Sequence, residues 1–105
     1  MPASVPNIVG TYSAFGQTAS IATTTIYTPS TNGLFRASVS CVRNSGSGTA
    51  TSLLGWTDGS GSRSYSVADY YYDTVMEVNN QPITIGVTVA GTVNYDIWVV
   101  IEQLA

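Results

Sequence analysis

Carboxylates beside a run of tyrosines are the residues of this chain whose spacing could support chemistry. Asp69 and Asp73 flank Tyr70-Tyr71-Tyr72, and Glu77 follows. Paired carboxylates can cleave a glycosidic bond, and tyrosine offers a flat apolar ring with a hydrogen-bonding tip that suits sugar binding. The alternative is that solvated acids border a loop while the rings pack along a sheet edge or an interface. We expect no hydrolysis and keep three candidate glycan contacts: Tyr70, Tyr71 and Tyr72.

Two further groups have structural explanations. Asp58 lies in the turn Asp58-Gly59-Ser60-Gly61, but a calcium ion needs about six to eight oxygen ligands, usually from several carboxylates. Cys41 occupies an apolar strand position, with no histidine or basic cluster nearby in sequence to activate its thiol. We therefore expect a structural turn at Asp58 and a small core residue at Cys41, with no metal, cofactor or catalytic residue.

The composition excludes several function classes. The chain of 105 residues contains no histidine, one cysteine and three arginines, with a net charge of −3. Without histidine, Ser-His-Asp and Cys-His catalysis and most zinc sites are excluded. Three arginines on an acidic chain do not suit nucleic-acid binding. No apolar run approaches the roughly 20 residues of a membrane helix, and the first residues lack the pattern of a signal peptide.

The elements that position these groups are predicted to be strands. Threonine, valine, isoleucine and tyrosine are frequent, and turn signals recur between short alternating runs, as in sandwiches and barrels. We predict an all-β, single-domain antiparallel β-sandwich, jelly-roll-like, with seven or eight strands. The main predicted strands cover 18–28, 34–43, 49–57, 63–67, 74–78, 83–89 and 95–104, and residues 68–73 form a loop or an irregular edge.

The last predicted strand has apolar side chains on both faces. With a period of two, Tyr95, Ile97 and Val99 share one face, and Trp98 and Val100 share the other. A strand over a single core needs only one apolar face. The second face therefore predicts contact with another subunit, through Trp98, Val100 and Leu104, with Arg36 either in a salt bridge to that subunit or solvated.

The start of the chain reads as an arm. Pro2 and Pro6 favour extended backbone, so we predict an N-terminal arm over residues 1–17 and the sandwich domain over 18–105. The apolar residues of this arm are predicted to dock onto a neighbouring protein of the assembly: Val5, Pro6, Ile8 and Val9.

Several runs together resemble small β-rich structural modules of tailed bacteriophages. The similar segments are Ile21-Ala22-Thr23-Thr24-Thr25-Ile26-Tyr27-Thr28-Pro29, Gly33-Leu34-Phe35-Arg36-Ala37-Ser38-Val39, Gly55-Trp56-Thr57-Asp58 and the closing Tyr95 to Leu104. The resemblance covers about Thr18 to Leu104, and its motifs are structural rather than catalytic.

This resemblance implies a virion structural protein, assembled in the host cytoplasm, that decorates or cements the outer capsid as a homo-oligomer. A trimer is the favoured state, and the major capsid protein or another virion protein is the expected neighbour. The alternative is a receptor- or glycan-binding tip module of a phage tail fibre.

Overall fold

The computed structural model of the protein describes residues 7–68 and 71–105. These residues form eight strands and no helix. The strands are β1 (Asn7–Gln17), β2 (Ile21–Tyr27), β3 (Gly33–Ser45), β4 (Thr49–Asp58), β5 (Gly61–Ala68), β6 (Tyr71–Val78), β7 (Ile83–Ala90) and β8 (Asn94–Gln103).

The eight strands divide into two antiparallel sheets of four. The first sheet has the order β1-β8-β3-β6, and the second has the order β2-β7-β4-β5. The last two strands of the chain thus insert between the early ones, with β8 between β1 and β3 and β7 between β2 and β4. This is the double Greek-key order of a jelly roll, and the predicted all-β antiparallel sandwich is confirmed.

The core lies between the inner faces of the two sheets. Strict alternation along β3 and β8 directs one set of side chains inward, as the pleat requires, and these residues are fully or almost fully buried: Phe35, Ala37, Val39, Cys41, Tyr95, Ile97, Val99 and Ile101. From the second sheet, Leu54, Ile83 and Ile85 complete the core. Cys41 is a core residue, as predicted, and Trp56 is half-buried against the same cluster.

The N-terminal segment from Asn7 onward is a strand rather than an arm. It pairs with β8 from Asn7 opposite Gln103 to Gln17 opposite Tyr95, so the predicted boundary between arm and domain at residue 17 is wrong for this part. Two irregularities in the register, between Ile8 and Gly10 and between Ala14 and Gln17, break the period of two. The alternation that identifies a strand in a sequence was therefore absent here.

Strand boundaries also differ near residues 18–28 and 68–73. The first predicted strand is shorter in the structure, because the chain turns from β1 to β2 between Gln17 and Ile21. The loop or irregular edge predicted at residues 68–73 is, from Tyr71 onward, β6, a regularly paired strand at the edge of the first sheet. Tyr71 lies opposite Ser40 and Tyr72 opposite Val39 of β3.

Candidate functional site

The two outer faces of the sandwich differ in chemistry. On the second sheet, outward positions of β4, β5 and β7 carry mainly hydroxyl groups: Thr51, Thr57, Ser62, Ser64, Ser66, Thr84 and Thr88. On the first sheet, the outward positions carry large apolar side chains that remain exposed: Ile8, Phe15, Leu34, Val42, Tyr71, Val75 and Trp98. We call these outer surfaces the hydroxyl face and the apolar face.

Trp98 is the largest residue of the apolar face. Trp98 is 57% exposed, while its strand neighbours Ile97 and Val99 are fully buried. The prediction that Trp98 points away from the core is confirmed, because one side of β8 faces the core and the side that carries Trp98 faces outward.

A groove lies between Trp98 and Tyr71. Ser40 on β3 is opposite Trp98 on one side and opposite Tyr71 on the other, so the two aromatic residues stand two strand spacings apart, about 9.6 Å. The small side chains of Ser38 and Ser40 leave an opening of about 140 Å³ between them, with Val100 completing the lining. The surface exposed inside the groove is apolar.

The remaining predicted interface residues lie on or beside the same face. Val100 and Leu104 are half-buried. The Arg36 guanidinium pairs with the Glu102 carboxylate of its own chain, with a distance of 3.3 Å between Nη1 and Oε1. Neither alternative predicted for Arg36 therefore describes it fully, since its ionic partner is intramolecular. Such partly exposed pairs contribute at most about 1 kcal/mol to stability.

The structure separates the predicted tyrosine contacts. The Tyr71 hydroxyl lies outward and donates to the Asp73 carboxylate, at 3.0 Å from Oδ1 and 3.2 Å from Oδ2. This hydrogen bond and the charge of Asp73 raise the pKa of Tyr71. Tyr70 lies outside the described residues.

Tyr72 points into the core and is not accessible to a glycan. It packs edge-on against Tyr65, with ring centroids 5.0 Å apart. Its hydroxyl is buried and has no hydrogen-bond partner within the described part of the chain. Burial is the main cause of the raised pKa of Tyr72. The alternation of β6 separates these neighbours, so a continuous run of tyrosines gives no continuous surface.

The predicted docking residues are also divided between surface and core. Ile8 is exposed on the apolar face, whereas Val9 packs against the core. Val5 and Pro6 lie outside the described residues. Ile8 is therefore the member of this group that the structure places on an available surface.

The sequence reasoning missed Phe15, which is 63% exposed. It lies between the pairs Ala14–Ile97 and Gln17–Tyr95, so that Phe15 and Gly16 together correspond to the single residue Asp96 of β8. Ala14 packs against the core, so the alternation of the strand places Phe15 on the outer side. Gly16 has a φ of 65°, a left-handed conformation that glycine adopts without a steric penalty. Its N–H donates to Asp96 Oδ1 at 2.8 Å, and Asn44 donates to the same oxygen at 2.9 Å.

Charges on the apolar face are mostly acidic. Among the described residues, four carboxylates and one guanidinium project from it, giving a net charge of 1 − 4 = −3: Asp73, Glu77, Asp96, Glu102 and Arg36. Three of the carboxylates have partners within the chain, namely Tyr71, Gly16 with Asn44, and Arg36. Of these partners Arg36 alone carries a positive charge, and it is already counted, so the apolar face keeps its net negative charge.

No arrangement typical of a metal centre is present in residues 7–68 and 71–105, where no group of three or more metal-ligating side chains converges. The Asp58 carboxylate accepts from the Ser60 N–H at 2.7 Å and from Arg63 Nε at 2.8 Å. The hydrogen bond from Arg63 is the main cause of the lowered pKa of Asp58. Asp58 thus stabilises the β4–β5 turn. None of the described residues forms a helix able to cross a membrane.

Comparisons with known proteins leave the family of the chain open. No protein-family model matches it, and no curated protein matches it. Among solved structures, it is similar to a chain of Bacillus endospore appendages, described as a novel family of disulfide-linked pili. The identity is 14% over 97% of this chain and 93% of that chain, with a TM-score of 0.46. A likeness at this level does not bear on function.

Proposed function

We propose that this chain is a non-enzymatic structural protein of a virus particle. It decorates or cements the outer capsid through contacts between copies of its sandwich, and it is incorporated into virions in the host cytoplasm. The observation that carries the proposal is the apolar face, where seven large apolar side chains of the described residues remain exposed on one sheet. Exposed apolar patches of this kind mark interaction surfaces.

The size of the apolar face suits a specific contact between two copies. Four strands at about 4.8 Å and ten residues at about 3.3 Å give a surface of roughly 19 by 33 Å, or about 600 Å². Two such faces bury about 1,200 Å² together, the lower limit of standard specific interfaces. Many copies on a closed shell add avidity to a contact of this size.

The chemistry of the groove supports an apolar occupant. Its exposed surface is apolar, and Trp98 and Tyr71 form its walls. A sugar ring needs hydrogen-bonding groups around its hydroxyls, whereas an apolar side chain from a second copy needs none. The groove therefore favours protein assembly over sugar binding.

The mass of the protein in solution tests the proposal first. Sedimentation equilibrium should show a homo-oligomer. Packing of two apolar faces against each other gives a dimer, whereas the phage resemblance implies a trimer, and the measured mass distinguishes the two. Particles imaged with and without this protein should differ at the outer capsid surface. A strict monomer up to millimolar concentration, indifferent to Trp98→Ser, would refute self-association through this face.

A glycan-binding tip module is the second candidate function. It is favoured by the hydrogen bond between the Tyr71 hydroxyl and Asp73, which places a polar pair beside the exposed ring of Trp98. A glycan array compares the wild type with Tyr71→Ala, and Tyr65→Ala serves as a control outside the apolar face. Binding that only Tyr71→Ala abolishes supports the tip module, and the absence of binding by the wild type removes it.

A further inference from the structure

We propose that Phe15 of one copy inserts its ring into the groove between Trp98 and Tyr71 of a second copy, and that a two-fold axis makes this contact reciprocal. This inference rests on the self-association proposed above and names the residues that carry it. Three observations support it: the way in which Phe15 is held, the size of the groove, and the placement of both on one face.

Phe15 is held in an exposed position by a defined local structure. Two residues of β1 oppose one residue of β8, and a bulge of this kind re-aims the side chains next to it. The Gly16 N–H is fixed on Asp96, and Asp96 is itself fixed by Asn44, which also donates to Asn94 Oδ1 at 3.0 Å. These hydrogen bonds thus fix a backbone conformation that leaves the ring of Phe15 exposed to water. Such a ring gains free energy only when something covers it.

The groove has the volume that a phenyl ring needs. Its opening of about 140 Å³ is close to the roughly 150 Å³ of an apolar cavity that is known to bind benzene. Trp98 and Tyr71 stand on either side of a ring placed there, and aromatic pairs are favourable at centroid separations of about 4.5–7 Å. A spacing of about 9.6 Å between the two strands that carry them leaves room for one inserted ring.

The positions of Phe15 and the groove allow a reciprocal contact. Phe15 lies on β1 and the groove lies above β3, with β8 between them, so their separation across the strands is about 10 Å. When two copies pack with their apolar faces together, a two-fold axis in the interface midway between these features brings each Phe15 to the partner's groove. The contact is then isologous, with the same residues used twice.

The experiment measures dissociation constants by sedimentation for Phe15→Ala and for Ser40→Leu, which fills the groove from its floor. Burial of a phenylalanine side chain corresponds to about 10- to 100-fold in affinity, and each dimer loses two such contacts. We therefore expect each variant to weaken self-association by about 100-fold or more. Leu53→Ala and Ser64→Leu, the matched changes on the hydroxyl face, should leave it within about twofold. Circular dichroism and thermal unfolding check that each variant is folded.

A mixture of the two variants gives the sharper test. Phe15→Ala retains an open groove but lacks the ring, whereas Ser40→Leu retains the ring but lacks the groove. One of the two reciprocal contacts is restored when they pair with each other, so the mixed dimer should form at least about 10-fold more tightly than either variant alone.

The outcomes separate this inference from the proposed function. A wild-type monomer at all concentrations overturns both. A wild type that self-associates while Phe15→Ala behaves like Leu53→Ala, or while the mixture shows no gain, overturns the insertion of Phe15 alone. A trimer with no two-fold contact overturns the reciprocal geometry and leaves self-association intact.

Discussion

Replacing Trp98 by serine tests the central role of the apolar face. An entire tryptophan side chain buries up to about 250 Å². The exposed 57% then corresponds to about 140 Å² and, at about 25 cal/mol per Å², to at most about 3.5 kcal/mol per copy on association. Ordering and imperfect polar pairing reduce what an interface gains from such burial. We expect about 1.5–3 kcal/mol, or 10- to 150-fold in affinity per copy.

Two control variants separate association from folding. Leu53→Ser removes an apolar residue that is 42% exposed on the hydroxyl face, and it should leave association unchanged. Ile97→Ala removes a fully buried neighbour of Trp98, and it should lower the free energy of unfolding by about 2–5 kcal/mol. Trp98→Ser should lower it by about 1 kcal/mol or less, because the side chain lies outside the core.

The assay combines sedimentation equilibrium with urea unfolding of the three variants. If Trp98→Ser destabilises the fold as much as Ile97→Ala does, Trp98 is a core residue and not part of a contact surface. If Leu53→Ser and Trp98→Ser weaken association by the same factor, the apolar face is not the surface through which copies associate.

Three further predictions concern charge, a buried hydroxyl and a close backbone approach. Self-association should strengthen as salt rises from about 0.02 to 0.5 M. Two apolar faces that each carry a net charge of −3 repel each other, and salt screens this repulsion because the Debye length falls below about 10 Å above 0.1 M. Sedimentation that shows weaker association at higher salt contradicts this prediction. Tyr72→Phe should leave unfolding in urea at pH 7 unchanged or stabilise the fold by up to about 1 kcal/mol, since the lost hydroxyl is buried with no hydrogen-bond partner among residues 7–68 and 71–105. Burial raises the pKa of Tyr72 in the folded state, so the wild type loses stability as pH rises above the ordinary tyrosine pKa near 10. The free energy of unfolding of Tyr72→Phe should therefore fall less between about pH 10 and 11.5 than that of the wild type. Equal losses in the two proteins exclude Tyr72 as a cause. Gly48→Ala should lower the free energy of unfolding by about 2 kcal/mol or more, because the Cβ of the introduced alanine would meet the Ala90 carbonyl oxygen. Gly59→Ala is the control, since a Cβ at that position meets nothing within 4 Å, and it should leave the free energy of unfolding nearly unchanged.

The sequence predicted the strands whose alternation is unbroken. β3, β7 and β8 have continuous period-two patterns, and their inward residues were identified correctly, including Val39 and Ile97. The outward direction of Trp98 followed from the same alternation. These predictions succeed because the pleat alone determines which side chains share a face.

The parts of the fold that were missed depend on irregular backbone or on distant pairing. The bulges of β1 interrupt the alternation, so Phe15 gave no strand signal. The groove depends on the register that places Trp98 and Tyr71 on either side of Ser40. That register joins segments widely separated along the chain, and no local pattern determines it.

The two flanks of the sandwich differ in how well their edges resist unwanted pairing. On one flank, β1 and β2 each have two irregularities in register, and such bulges discourage strand addition. On the other flank, β5 and β6 pair with their neighbours over eight consecutive residues without interruption. Heating or overexpression should therefore produce fibrillar aggregates that grow from the β5–β6 flank, and a lysine introduced on either strand should suppress them.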